Sequence, residues 1–213
     1  MKKILYSVAL AACCMGTMTS CSDFLDASNK SNVTAKQSFA TKEGLNNLVN
    51  NAYQHLQNVY AAPLFTSCFS AGTDMYADAR NKMNEALNTY ETLTPENTDI
   101  KNLYTYLYSG IRAANSVSYY AQTAQVDDKT KGQLVGEARV LAAYEYYLLV
   151  NNFGGVPIMK DFLTTADTGY PKSSAEDVYA YIISELEDVI GKNVLQASTA
   201  TKGGGRISQE TAK

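Results

Sequence analysis

The cysteine at position 21 has the clearest chemical context of any side chain in this sequence. It follows Met18-Thr19-Ser20, and this run resembles the lipobox that lipoprotein signal peptidase cleaves, with Met where Leu is commoner. Upstream, Lys2-Lys3 precede the uncharged apolar stretch Ile4–Met15, a pattern typical of a secretory signal and too short for a permanent membrane span. We therefore expect residues 1–20 to be a signal peptide. Cys21 would become the first mature residue, anchored by acyl chains such as palmitate.

The remaining reactive side chains predict little chemistry of their own. Cys13 and Cys14 would leave with the signal, so Cys68 has no partner in the chain, and neither a structural disulfide nor a cysteine metal site is expected. The histidine, His55, lies within a predicted helix and is expected to be a solvated surface residue. Asp74 and Asp78 lack the alternating acidic spacing of a calcium loop, so we predict no metal site and no cofactor.

Charge and composition exclude some classes of partner. The sequence has a net charge of −3, and removal of Lys2 and Lys3 with the signal would make it −5, which argues against nucleic acid as a partner. About 190 mature residues suffice for one domain with a real core. Sixteen tyrosines occur without a tryptophan. Tyrosine combines a flat apolar face with a hydroxyl, as carbohydrate and peptide surfaces require, although tyrosines also line cores between helices.

Apolar periodicity predicts long helices that would position these residues. A first helix is expected after Thr41, a second from Thr94-Pro95-Glu96 to about Thr123, a third after Val126-Asp127-Asp128 that ends at Gly154-Gly155, and a fourth from Ser174 to Gly191. The short turn between the second and third predicts antiparallel packing. Ser174 with Asp177 resembles a capping box. Residues 21–38 are predicted to be a lipidated tether, and Ala61–Tyr90 an irregular excursion.

The last predicted element is a helix cap at Ser208, after a linker over Thr201–Gly205 and a turn at Gly205-Arg206. The sequence ends at Lys213, so this helix has no room to form. The apolar face of the helix from Ala175 to Ile190 is left without its hairpin partner. We therefore expect the chain to be a fragment, or a truncated product, of a longer protein.

One run of the third helix resembles the signature of a known family. Residues Gly136–Pro157 read GEARVLAAYEYYLLVNNFGGVP and closely resemble the Gly-Glu-Ala-Arg helix and Phe-Gly-Gly-Val-Pro turn of the SusD/RagB family, with Ala142 where Arg is frequent. Three other features agree in order: the mature start Cys21–Asp26, the pattern Tyr108-x-x-Ile111-x-x-Ala114-Asn115, and Gly205-Arg206. The chain is thereby identified as resembling the N-terminal part of such a protein.

The resemblance implies a fold and a function. The fold would be all-α: tetratricopeptide-like helix pairs in a superhelix, with an irregular loop-rich insertion and a truncated C-terminus, so that residues 39–213 are an incomplete SusD-like helical domain. The function would be nutrient uptake, as in polysaccharide utilisation. A lipoprotein on the outer face of the outer membrane captures a glycan, or a peptide, and passes it to a TonB-dependent SusC-like transporter. Such proteins are not enzymes.

Individual residues receive different roles under this resemblance. Family members stack aromatic rings on sugar faces and satisfy the hydroxyls with amides and carboxylates. The corresponding irregular region here offers candidate ligand-binding residues, namely Asp74, Tyr76, Asp78, Asn81, Asn84, Asn88 and Tyr90. The signature residues are assigned structural roles, and they are Gly136, Glu137, Ala138, Arg139, Tyr144, Phe153, Gly154, Gly155 and Pro157. Glu137 and Arg139 are expected in ion pairs or caps. Tyr144, Tyr146 and Tyr147 point in several directions and are not expected to form one ligand platform.

Two other functions stay open at this point. A surface glycosidase would need two carboxylates across one cleft, and Glu85, Glu91 and Glu96 are the nearest cluster to the irregular region, with nothing in the sequence to orient them. A helical-repeat scaffold with protein partners alone would explain the helices equally well. We favour nutrient capture because the lipobox and the signature coincide.

Overall fold

Helices supply the regular structure of the described part of the chain. The computed structural model describes residues 34–61, 63–76, 85–165, 169–198 and 205–213. The helices in these ranges are α1 (Ala35–Ser38), α2 (Lys42–Tyr60), a π-helix (Thr66–Ser70), α3 (Glu85–Thr89), α4 (Thr98–Ala121), α5 (Asp128–Phe153) and α6 (Ala175–Lys192). The predicted all-α class is confirmed. The predicted signal peptide, Cys21 and most of the tether lie outside the described residues.

Three of the long helices begin where the sequence predicts, each at a side chain that satisfies a free backbone N–H. The Thr41 hydroxyl accepts from the Gly44 N–H at 3.1 Å, and the Asp127 carboxylate accepts from the Thr130 N–H at 2.9 Å. At α6 the Ser174 hydroxyl accepts from the Asp177 N–H at 3.1 Å and donates to the Asp177 carboxylate at 2.7 Å. The Ser174 cap therefore forms as predicted, and the Ser174 hydroxyl makes an additional hydrogen bond to the Asp177 carboxylate.

The predicted start of α4 at Thr94-Pro95-Glu96 is wrong. The helix begins at Thr98 because the Asn97 side chain accepts from the N–H groups of Asp99 and Ile100, at 3.0 and 3.1 Å. Asn97 thus satisfies two N–H groups at the start of the helix, and the residues before it form a turn.

The predicted ends also shift. Helix α4 ends at Ala121 rather than Thr123. Helix α6 continues through Gly191 to Lys192, where Asn193 ends it in the left-handed conformation (φ 49°). Within the predicted tether, Ala35–Ser38 forms one helical turn, and Phe39 behind it packs on the core.

Helices α2, α4 and α5 pack against one another, and α6 packs on α5. Helix α5 runs antiparallel to α4, as predicted, since Tyr104 contacts Phe153 near one end and Gly110 faces Glu145 near the middle. The buried apolar residues form one cluster around Leu45, Val117 and Leu141 and another around Leu107, Tyr146 and Val178. These packed helices position the loops and grooves described below.

Residues 205–213 pack against the first half of α5 and the end of α6. Ala212 is buried beside Val140, Val189 and Leu195. Ser208 caps a turn, since its hydroxyl accepts from the Thr211 N–H at 3.2 Å and its carbonyl accepts from the Ala212 N–H at 3.2 Å. The predicted cap at Ser208 therefore forms, and a single turn follows it.

Candidate functional site

The segment after α2, predicted to be irregular, carries the candidate ligand-binding residues that the structure describes. Asp74 and Tyr76 lie in a turn closed by an isolated bridge between Thr73 and Tyr76, and Asn88 lies in α3. Tyr90 follows α3 in the left-handed conformation, with φ 62° and 57% of its surface exposed. The candidates Asp78, Asn81 and Asn84 lie outside the described residues.

Tyr90 is folded back over the turn that holds Asp74 and Tyr76. Gly72, with φ 75°, lies directly beneath the Tyr90 hydroxyl, and any Cβ at Gly72 would overlap that hydroxyl and approach the Leu87 carbonyl to 2.6 Å. A left-handed tyrosine carries backbone strain of about 1–3 kcal/mol, which persists only where its surroundings fix it. The structure thus brings the half-exposed Tyr90 ring to Gly72, two residues before Asp74. Together we call Asp74, Tyr76, Asn88 and Tyr90 the loop cluster.

The signature residue Glu137 is almost fully buried and forms the centre of a polar network. Its carboxylate, 1% exposed, accepts from the Arg206 guanidinium at 2.6 Å, from Gln133 at 3.2 Å and from the Tyr53 hydroxyl at 3.4 Å. The same Tyr53 hydroxyl accepts from the Ile207 N–H at 2.8 Å. Burial, partly offset by that backbone bond, raises the pKa of Tyr53 to about 12. Glu137 therefore holds the segment around Arg206 against α2 and α5.

Arg139, two residues along the signature, joins α5 to α6. Its guanidinium donates to Glu185 at 2.6 Å and also to Asp188, which in turn pairs with Lys192 at 2.7 Å. Glu137 and Arg139 thus both form ion pairs, as predicted, and each one holds a different neighbouring element.

The Gly154-Gly155 turn sends the chain back over the helices that precede it. Gly154 has φ 69° and ψ −138°, a region that glycine alone adopts without strain. A Cβ on Gly155 would collide with the Ser173 carbonyl. Beyond the turn, the Tyr108 hydroxyl donates to the Pro157 carbonyl at 2.8 Å and the Met159 N–H donates to the Tyr146 hydroxyl at 2.7 Å.

Two of the signature tyrosines share one surface, which the sequence reasoning missed. Tyr144 and Tyr147 are 39% and 47% exposed, and their rings stack with centroids 6.2 Å apart, while Tyr146 is fully buried. The Tyr144 hydroxyl also hydrogen-bonds that of Tyr60. The three tyrosines therefore do not form one platform, as expected, but Tyr144 and Tyr147 share a surface, because residues three apart on a helix lie on neighbouring faces.

A groove along α4 was also missed. Its first part is a cavity of about 550 Å³ between α4 and the chain after Pro157, lined by Tyr104, Tyr108, Arg112, Asn115, Asp161 and Leu163 among others. Its second part, of about 350 Å³, includes Phe39, Asn51, His55, Tyr120 and Phe162. Ser109 and Arg112 line both parts. The spacing of Tyr104, Tyr108 and Arg112, four residues apart, is the sequence signal that would have placed them on one face.

His55 is not the solvated surface residue expected. It is half-buried in the second part of this groove, its Nδ1 is buried without a hydrogen-bond partner among the described residues, and burial lowers its pKa.

Another titratable group inside the fold is Cys68, a free thiol whose pKa is raised to about 11 by burial and by the charge of Asp99. Such a thiol is a poor nucleophile.

The described residues hold no group of three or more His, Cys, Asp or Glu side chains that would bind a metal ion. Glu85, Glu91 and Glu96, the cluster considered for a glycosidase, are all exposed. In the described ranges we find no helix with the length and apolarity required to cross a membrane.

Comparisons with known proteins agree on one family. The family model for SusD-like proteins, described as starch-binding and associating with the outer membrane, matches residues 23–202. SusD-like protein P38 of Formosa agariphila is 28% identical over 179 residues, which cover 82% of this chain and 34% of that protein.

Solved structures give the same result. Surface glycan-binding protein A from Bacteroides uniformis superposes with a TM-score of 0.67 at 27% identity, over 80% of this chain and 39% of that one. A SusD homologue from Bacteroides thetaiotaomicron has a TM-score of 0.66 at 21% identity, over 86% and 36% of the two chains, and supports the fold alone. The chain spans between a third and two fifths of these relatives' length. By the match over residues 23–202, the chain belongs to the SusD-like family.

Proposed function

We propose that this chain is part of a cell-surface lipoprotein that captures glycans and passes them to a TonB-dependent SusC-like transporter. The observation that carries the proposal is the family match over residues 23–202, whose description joins starch binding to the outer membrane. The relative from Bacteroides uniformis is named as a surface glycan-binding protein. Capture would need no catalytic group. The binding experiment below distinguishes capture of a glycan from capture of a peptide.

The loop cluster is the surface that we assign to capture. Tyr76 and Tyr90 offer ring faces for the C–H faces of a pyranose, and Asp74 and Asn88 offer acceptors and donors for its hydroxyls. A lipid at Cys21 would keep this surface beside the transporter and raise its effective concentration there.

Calorimetric titration of the purified chain with maltohexaose, laminarihexaose and a mixed peptide digest tests capture. Tyr76→Ala and Tyr90→Ala should each weaken glycan binding about tenfold, since a lost aromatic contact is worth roughly 1–1.5 kcal/mol. Tyr179→Ala, at an exposed ring on α6, is the matched control and should bind as the wild type does. Heat from the digest alone would point to peptide capture. Equal binding by all three variants would remove the loop cluster from the proposal.

Partnership is tested separately in cells that carry the neighbouring genes. The proposal expects the protein to be accessible to external protease and to co-purify with a barrel transporter after mild detergent extraction. Recovery in the inner membrane, or extraction without any barrel protein, would contradict it.

A scaffold with protein partners alone is the second candidate. The observation that favours it is the exposure of large apolar side chains on α5 and α6, since Tyr144, Tyr147, Tyr179 and Ile183 are all exposed and the first two stack on each other. Exposed apolar patches often mark protein contacts. Under this alternative no glycan gives heat of binding. Tyr147→Asp and Ile183→Asp would then abolish co-purification of protein partners, whereas loop-cluster variants would leave it unchanged.

A further inference from the structure

Exposed apolar side chains on α5 and α6 form one connected patch. Tyr144 and Tyr147 stack on each other on α5, and the Asn151 amide donates to the Tyr147 carbonyl at 2.6 Å. The Asn151 Oδ1 in turn accepts from the Tyr179 hydroxyl on α6 at 3.2 Å. Ile183, which is 54% exposed, lies four residues after Tyr179 and therefore on the same side of α6. We call Tyr144, Tyr147, Tyr179 and Ile183 the α5–α6 patch.

A turn of helix already packs on the face that this patch extends. The Ala212 N–H donates to the Ser208 carbonyl at 3.2 Å, which is the i to i+4 bond of an α-helix. The Ala212 side chain is buried against Val140 of α5 and Val189 of α6. Val140 comes four residues before Tyr144, so the covered and the exposed residues lie on one side of α5. The surface that α5 and α6 present together therefore accommodates helical structure.

Carboxylates lie at both ends of the exposed side of α6. Glu176 comes three residues before Tyr179, Glu187 comes four residues after Ile183, and both are exposed. Neither forms an ion pair within 4.0 Å among the described residues. No lysine or arginine occurs in α6 before its last residue, or in the second half of α5, which carries the two tyrosines. The charges that these helices place beside the patch are therefore negative.

This charge argues against a second copy of the chain as the occupant of the patch. A two-fold contact brings the same surface of both copies together. Glu176 and Glu187 of one copy would then meet the same carboxylates of the other, and like charges at an interface oppose association. A partner that carries basic groups around an apolar stripe has the complementary charge.

We propose that the α5–α6 patch docks a partner protein through an amphipathic helix whose apolar stripe is flanked by lysine or arginine. The apolar side chains of that helix would pack on Tyr147 and Ile183, and its basic side chains would pair with Glu176 and Glu187. The inference does not depend on glycan capture. It gives the protein-partner alternative a surface and a partner chemistry.

Fluorescence anisotropy of a labelled synthetic peptide tests the inference on the purified chain. The probe is an amphipathic helix of leucine and lysine, about fourteen residues long so that it forms a helix readily. The comparison peptide has glutamate in place of every lysine. Tyr147→Ala and Ile183→Ala each remove an apolar contact, and a double variant, Glu176→Gln with Glu187→Gln, removes the flanking charge.

Two residues of the same types away from the patch supply the matched controls. Tyr119→Ala changes an exposed tyrosine on α4, and Glu43→Gln changes an exposed glutamate on α2. Thermal unfolding by circular dichroism confirms that each variant is folded.

We expect the lysine peptide to bind the wild type at least tenfold more tightly than the glutamate peptide does. Its binding should weaken about fivefold in Tyr147→Ala, in Ile183→Ala and in the double glutamine variant, and should stay within twofold in both controls. Added salt should weaken binding to the wild type more than binding to the double variant, because it screens the pairs that the variant lacks.

Equal binding of the two peptides, or unchanged binding in the patch variants, overturns the inference. Sedimentation that shows a dimer of the wild type and a monomer of Tyr147→Ala would assign the patch to a second copy instead. Protein isolated from its own cells that fails to bind the peptide, while the purified chain binds it, would show that the same molecule covers the patch, and this too overturns the inference. Normal peptide binding without any glycan binding would remove glycan capture and leave the docking surface standing.

Discussion

Glu145 is the residue whose environment departs furthest from what its side chain prefers. It is fully buried, and neither carboxyl oxygen has a hydrogen-bond partner among the described residues. It fits because Gly110 of α4 has no Cβ, which would otherwise overlap the carboxyl group. Burial raises the pKa of Glu145 well above its ordinary value, so the fold favours the neutral acid over the charged form.

The pH dependence of stability follows from this direction of shift. A carboxyl whose folded pKa is raised contributes stability that is fully present below its unfolded pKa, near 4.5, and is lost as the pH rises through the folded pKa. Glu145→Met should therefore stabilise the protein by about 1–3 kcal/mol at pH 8, and by less at pH 4.5. Urea unfolding at both pH values measures this. A variant less stable than wild type at pH 8 would contradict the prediction.

Glu137 and Arg139 allow a comparison of two ion pairs from one motif. Removing one partner of a buried pair leaves an uncompensated charge and costs about 3–5 kcal/mol, whereas an exposed pair is worth about 0–1 kcal/mol. Removing Arg206 would leave the carboxylate of Glu137, which is 1% exposed, whereas removing Arg139 would leave Glu185 and Asp188, which are 23% and 39% exposed and therefore partly solvated. Arg206→Ala should therefore cost about 3 kcal/mol and Arg139→Ala about 1 kcal/mol.

Chemical denaturation measures both values, and amide exchange adds a local readout. The Ile207 N–H, which donates to Tyr53, should exchange faster in Arg206→Ala and at the wild-type rate in Arg139→Ala. Equal destabilisation by the two variants, or protection of Ile207 in both, would show that the Glu137 network does not hold this segment.

At the scale of elements, the start of α4 gives a direct test of capping. Asn97→Ala removes the acceptor of two N–H groups and should cost about 1 kcal/mol. Thr94→Ala lies at the start that the sequence predicted and should change stability by less than about 0.5 kcal/mol. Thermal or urea unfolding of the two variants decides between these positions. A larger loss at Thr94 would restore the predicted boundary.

The long helices could be predicted because one apolar stripe and one cap define each of them. Ser174 caps its helix as predicted, and Thr41 and Asp127 cap the helices that were predicted to follow them, since each precedes a clear helical period. The start of α4 failed because Thr94-Pro95 is a favourable helix start in isolation, and only the structure shows that Asn97 satisfies the N–H groups. Local sequence signals cannot decide which of two neighbouring residues caps a helix, because that depends on how the chain enters the helix in the folded structure.

The binding surfaces were less predictable because they depend on contacts between distant segments. Tyr90 faces Gly72, eighteen positions earlier in the sequence, and Phe162 meets Tyr120 only because the Gly154-Gly155 turn returns the chain toward α4. The pairing of Glu137 with Arg206 likewise joins residues 69 positions apart. The family resemblance supplied the fold and the general function, whereas these pairings required the folded chain.

For the whole molecule, the membrane anchor remains a prediction, because Cys21 lies outside the described residues. If Cys21 carries the lipid, Cys21→Ser should abolish labelling by radioactive palmitate and move the protein from the detergent phase to the aqueous phase in Triton X-114 partition. The reason is that one or two acyl chains supply most of the affinity for the bilayer, at about 0.8 kcal/mol per buried methylene. Cys68→Ser is the matched control and should keep both label and partition, since its thiol is half-buried in the fold. Palmitate label that survives in Cys21→Ser, or protein that stays in the detergent phase, would place the anchor elsewhere and remove the tether from the proposed mechanism of capture.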